Sequence, residues 1–162
     1  MQFADVRDSP EYLIRRGMAT RQTIVGCTQA EIGEVCRVQG VDSLPQQYEL
    51  FLLLAGRRAG QFLRGTDFYF PDQADEEFVA HAHELLTENK VSHLMKPGSV
   101  VMGMHQGYQI YWIEPVGAVN FYSETETSVR RTWTTLAEFL FNEAEREANL
   151  LEYIHKNDFT IT

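Results

Sequence analysis

Residues 28–56 read TQAEIGEVCRVQGVDSLPQQYELFLLLAG, and this stretch decides the fold. Thr28 stands three positions before Glu31, the spacing of a capping box, in which each side chain serves an otherwise unpaired backbone N–H. Ile32, Val35 and Cys36 recur at i, i+3 and i+4, so they share one apolar stripe of a helix running to about Gln39. Gly40 supplies the left-handed residue on which such a helix ends. A second helix follows almost at once. Pro45 suits its first turn. Tyr48, Phe51, Leu52 and Ala55 make one face, and Leu50, Leu53 and Leu54 carry apolar surface round the others. A helix apolar on most sides is buried on most sides. Gly56 is its stop.

Downstream, residues 61–64 and 67–70 flank Gly65-Thr66 and predict a hairpin or two short strands. An acidic loop over 71–77 leads into a helix whose apolar residues Phe78, Ala82, Leu85 and Leu86 carry it to about Asn89. Residues 99–104, 108–113 and 118–122 are rich in aromatic and β-branched side chains. Their short connections favour antiparallel neighbours. The expectation is a three-stranded meander, extended by the earlier strands. In the central strand Tyr108, Ile110 and Trp112 point one way, and Gln109, Tyr111 and Ile113 the other. Both faces are largely apolar, so one meets the helices and the other is left for the chain or a partner to cover. Leu136, Phe139, Leu140, Ala144, Leu151 and Ile154 keep helical spacing over 135–155. Upstream, residues 1–27 read as an elaboration. Ser9 is its N-cap and Pro10 its first helical residue, with the short helix ending at Gly17 and an extended stretch over 23–27. The fold class is α+β: one domain over 1–162, an antiparallel, twisted sheet packed against helices, with its core over 28–155.

At 162 residues the chain buries enough surface to need neither disulfide nor metal. Its 14 basic and 23 acidic residues give a net charge of -9, which repels a phosphate backbone and attracts basic proteins. Nucleic acid is therefore not the expected partner. Cys27 and Cys36 read as reduced, packed cysteines. The opening ten residues lack the apolar segment of a signal peptide. No apolar run approaches a membrane span. The expected compartment is the cytoplasm, and no membrane association is expected.

Chemistry leaves little local trace. The nucleophile elbow, the phosphate-binding loop and the dinucleotide glycine motif are absent. His81 and His83 are spaced by two on a helix and point about 200° apart, so they cannot share an ion. His93, His105 and His155 are isolated, His105 beside a hairpin turn being the one to test first. No metal, cofactor or catalytic residue is assigned. Asp72, Asp75, Glu76 and Glu77 cluster at a helix start, where negative charge complements the helix dipole and would also suit a basic partner.

The stretch from Thr28 through Glu31 and Ile32 to Gly40, then Leu44-Pro45-x-x-Tyr48-x-x-Phe51-Leu52 and Gly56, resembles the opening signature of the SUKH superfamily. That superfamily includes bacterial immunity proteins and a fungal cell-wall-assembly regulator. The later order of strands, glycine hairpin and terminal helix, with Leu136 and Phe139-Leu140 opening the last, is similar too. Where the family often carries glutamate and leucine ahead of the first glycine, this chain has Cys36 and Gln39. The resemblance implies a protein-binding module without catalysis, acting as a monomer or weak dimer. The most direct reading is an immunity protein that blocks a cognate bacterial toxin sterically, its partner being a basic toxin domain. A regulatory adaptor is the alternative, and an enzyme of unrecognised type a third. Candidate partner-binding residues are Asp72, Asp75, Glu76, Glu77, Tyr111, Glu114, Tyr122, Glu124 and Glu126.

Overall fold

A computed structural model describes residues 3–157. The capping box forms: the Thr28 N–H donates to Glu31 Oε1 (2.8 Å) and the Glu31 N–H to Thr28 Oγ1 (3.2 Å). They open helix α2 (Gln29–Gln39), which ends on Gly40 at φ +70. Helix α3 (Gln46–Ala55) follows, with Pro45 at its N-cap. Ile32, Val35, Leu44, Tyr48, Phe51, Leu52 and Ala55 are buried. Each large side chain so buried stabilises the fold by roughly 1.5–3 kcal/mol. Leu50, Leu53 and Leu54 are only half-buried, so α3 is covered on fewer sides than its composition implies. Gly56 leaves α3 in an ordinary right-handed conformation, and what it supplies is space. A Cβ there would lie 2.6 Å from both Cys27 Sγ and the Leu52 carbonyl oxygen.

The chain before α2 folds back across the end of α3. The Cys27 N–H donates to the Leu52 carbonyl at 2.7 Å, and strand β1 (Ile24–Val25) pairs with β2 (Arg58–Ala59). Farther upstream, helix α1 (Ser9–Arg15) begins one residue earlier than its sequence suggests. Ser9 lies inside it, with its hydroxyl donating to the Val6 carbonyl, and Asp8 takes the N-cap place.

Strands β3 (Val100–His105), β4 (Gln109–Ile113), β5 (Val119–Ser123) and β6 (Arg131–Trp133) form one antiparallel sheet in chain order. The expected meander is present. The short fourth strand, whose Arg131 and Thr132 are exposed, carries too little apolar pattern to be seen in the sequence. The earlier segments do not extend this sheet. Residues 61–64 and 67–70 are turns instead of strands, tied to β3 by the single bridge Asp67–Met104. Left-handed residues at Gly60 and Leu63 bend this segment, while Phe62, Leu63 and Phe68 enter the core without forming a ladder.

Helix α4 (Glu76–Glu88) covers one sheet face, and α3 with helix α5 (Leu136–Lys156) the other. Val79, Ala82, Leu85 and Leu86 of α4 pack on Val101, Met104, Ile110, Trp112 and Tyr122. The larger core joins Val100, Met102, Ile113, Val119 and Trp133 to Phe51, Leu136, Phe139 and Leu140. The chain thus covers both faces itself. Gln39 stitches the layers: its amide donates to the Val101 carbonyl (3.0 Å) and accepts from the Val101 N–H (3.1 Å). The apolar stripe of α5 outlasts the core, since Leu151 is exposed although its spacing predicts burial. Cys27 and Cys36 are free thiols, and burial pushes both pKa values up.

Candidate docking face

With Val79, Ala82, Leu85 and Leu86 turned inward, α4 must present its opposite stripe outward. Glu77, His81, Glu84 and Glu88 follow one another by four, three and four residues and are all exposed. Asp75 caps the helix, its Oδ1 accepting from the Glu77 N–H (2.9 Å) and the Phe78 N–H (3.2 Å). His81 Nε2 lies 2.9 Å from the Gly107 carbonyl, a geometry that places the proton on Nε2 and ties the helix to the β3–β4 turn. Beside that turn Tyr108 is 38% exposed, and its carbonyl accepts from the Glu124 N–H at 2.9 Å. At the other end of α4, Asn89 Oδ1 accepts from the Thr125 N–H at 2.9 Å. The 124–125 loop is therefore fastened to the helix C-terminus.

These contacts assemble an acidic ridge about 20 Å long, the length of the helix. It runs from Asp75 past Glu77, Glu84 and Glu88 to Glu124, with an aromatic ring at Tyr108. None of these five carboxylates has an ion-pair partner among the described residues. Glu76 stands beside the ridge and reaches Arg37 at 3.4 Å.

Of the residues singled out from the sequence, Asp75, Glu76, Glu77 and Glu124 belong here. The others do not. Tyr122 is fully buried against α4, because its register opposite Ile110 turns it to the inner side. Glu114 lies at the far end of the sheet, largely buried, with its carboxylate toward Lys96 at 3.5 Å. Glu126 pairs with Arg130. Asp72 is half-buried, and desolvation, followed by the nearby Asp67 and Asp75, holds its carboxyl above the usual value. Glu84, Glu88 and His81 complete the ridge, and their helical spacing with Glu77 was open to view in the sequence. His81 and His83 share no ion site, and the described residues contain no His, Cys, Asp and Glu group fit for a metal. No helix among them is long and apolar enough to cross a membrane.

Neither a family model nor a curated protein matches this chain.

Tyr111 faces the other side of the sheet, where it stacks on Phe121 at 4.7 Å in the wall of a cleft of about 540 Å³. His105 also lines this cleft, its Nδ1 3.4 Å from Thr66 Oγ1. That is longer than the about 2.6–3.2 Å of a working nucleophile–base contact. Glu147, on α5, accepts from the Leu63 N–H with both oxygens, at 3.2 and 3.1 Å. Burial pushes its carboxyl above the ordinary range, with Glu143 adding to the shift and the Leu63 N–H and Arg146 opposing it. Between the ordinary glutamate value of about 4.3 and the raised one, the folded chain binds the extra proton, so stability falls as pH rises. Glu147→Gln keeps an acceptor for Leu63. It is expected to melt at least as high as the parent near about pH 7, and to lose any advantage below about pH 4, where both states are protonated. Thermal melts at the two pH values check this.

Proposed function

We propose that the chain is a SUKH-type protein-binding module that acts as an immunity protein, neutralising a cognate bacterial toxin in the cytoplasm by covering its working surface. The acidic ridge of α4 is the observation that carries this reading. Five carboxylates without ion-pair partners among the described residues line one helix and the loop fastened to it, beside an exposed tyrosine. A toxin domain that acts on nucleic acid needs a basic groove to hold phosphates. Such a groove is complementary to this ridge, and Tyr108 is the type of side chain that anchors an interface. Supporting it, the residues of the resemblance occupy structural places that suit them: Thr28 and Glu31 cap, Gly40 ends a helix, and Leu44, Tyr48, Phe51, Leu52, Leu136, Phe139 and Leu140 are buried. The chain acts as a monomer or weak dimer and performs no catalysis.

The test needs a neighbouring reading frame that encodes a toxin-like domain. Co-expression should relieve its toxicity, and binding should be fast at low salt and slow as salt rises. Glu84→Lys is expected to lower the association rate by about tenfold at low ionic strength. Relief of toxicity with an association rate indifferent to Glu84→Lys and to salt places the interface elsewhere. Capture of several weak partners, with no protection from the toxin, supports the adaptor reading instead.

A further inference from the structure

The cleft on the α5 side of the sheet has a composition unlike the rest of the molecule. In a chain of net charge -9, three of its 14 basic residues, Arg130, Arg131 and Arg146, converge on this one concavity. Its volume of about 540 Å³ falls within the about 300–1,000 Å³ typical of small-molecule sites. One wall is aromatic. Tyr111 and Phe121, opposite each other on β4 and β5, stack at 4.7 Å with an interplanar angle of 21°, and Trp133 lies on the next strand.

The charges in the cleft are not equally available. Glu143 is occupied by Arg146, and Glu147 shares the one Leu63 N–H between its two oxygens. Arg130 is held by Glu126. Arg131 has no carboxylate partner among the described residues. Its guanidinium rests over the Trp133 ring, 4.6 Å from the centroid. A guanidinium laid on an indole keeps its N–H edge free, and that edge matches the paired oxygens of a phosphate or carboxylate. Aromatic surface beside it favours a planar ring. The Glu143–Arg146 and Glu126–Arg130 pairs satisfy themselves, and Glu147 turns to the Leu63 N–H where burial favours its protonated form, so Arg131 is left to meet an anion.

We propose that this cleft binds a small aromatic anion, a planar ring carrying a phosphate or a carboxylate, with Arg131 holding the charged group and the Tyr111–Phe121 wall meeting the ring. The site lies on the sheet face opposite the acidic ridge, so it stands or falls independently of the docking reading.

Calorimetric titration of the full chain tests it. The probes are adenosine 5′-monophosphate, indole-3-acetate, adenosine and inorganic phosphate. At least one of the two aromatic anions should bind, and adenosine and phosphate should each bind at least about tenfold more weakly, since each lacks one half of the recognition. The phosphate and carboxylate arms show which charged group the cleft prefers. Arg131→Gln, at an exposed position, should weaken binding of the preferred anion by about tenfold or more with an unchanged melting temperature. Amide shifts at Thr66 and Gln109, on two walls of the cleft, should move on titration of the parent chain. Failure of both aromatic anions to bind at millimolar concentration overturns the proposal. So does binding that Arg131→Gln leaves untouched or that shifts neither amide.

Discussion

Phe139→Ala is expected to lower the unfolding free energy by roughly 3–5 kcal/mol, the range for emptying a buried phenylalanine site. Phe139 is fully buried near the start of α5. Its ring meets Phe68 of the 60s loop at 6.1 Å, Tyr111 of the sheet at 5.6 Å, and Trp133 of β6 edge-on at 4.8 Å. The 60s segment, the sheet and α5 all lean on this one side chain. None of those rings can move in to fill the hole without leaving another neighbour. A loss of that size is a large share of the about 5–15 kcal/mol that holds a domain together. Phe139→Leu, which leaves most of the volume filled, should remain folded and give a measurable intermediate value. Urea unfolding followed by circular dichroism reads both. A loss under about 1 kcal/mol for the alanine variant would contradict the placement of Phe139 as the meeting point of these elements.

Gly26→Ala is expected to cost about 3 kcal/mol or more, although it adds a single methyl. The new Cβ would sit 1.8 Å from the Leu53 carbonyl oxygen and 2.7 Å from its carbon. The obstacle is backbone, so no side-chain rotation relieves it. The strand must back away from α3. That movement stretches the Cys27 N–H bond to Leu52 (2.7 Å) and the Arg57 N–H bond to Val25 (2.9 Å). Gly33 supplies the control, for it lies in α2 with nothing within 4 Å of its would-be Cβ. Gly33→Ala should gain about 0.5–1 kcal/mol through helix preference alone. Opposite signs for the same substitution, measured in the same denaturant series, are the expected outcome. Equal signs would show that the close approach of β1 to α3 is not as drawn.

Features set by neighbours a few residues apart were legible in the sequence. The Thr28–Glu31 box, the left-handed Gly40 and the three-stranded meander over 100–123 all depend on local spacing, and all are found. Features set by distant chain were not. Residues 61–70 carry strand-like composition, yet their buried rings answer to α5 and β3, which lie far off in sequence. The position of Tyr122 followed from its register with Ile110, and that register comes from the turn between strands, so its choice as a partner-binding residue missed its burial. The acidic ridge was half visible. Its helical members keep their spacing in any amphipathic reading, but Glu124 joins them through its bond to Tyr108 and the Asn89–Thr125 contact, which no local pattern announces. The cleft was less visible still, because Arg131, Tyr111 and Glu147 come from three separate elements.

The four-stranded sheet parts two bodies of apolar side chains that have no residue in common. Substitutions far apart and without shared contacts act on stability nearly additively. The outward letters of α4 can therefore be rewritten with little effect on the rings packed under α5. Diversification on one flank and constancy on the other are what a two-sided partition permits.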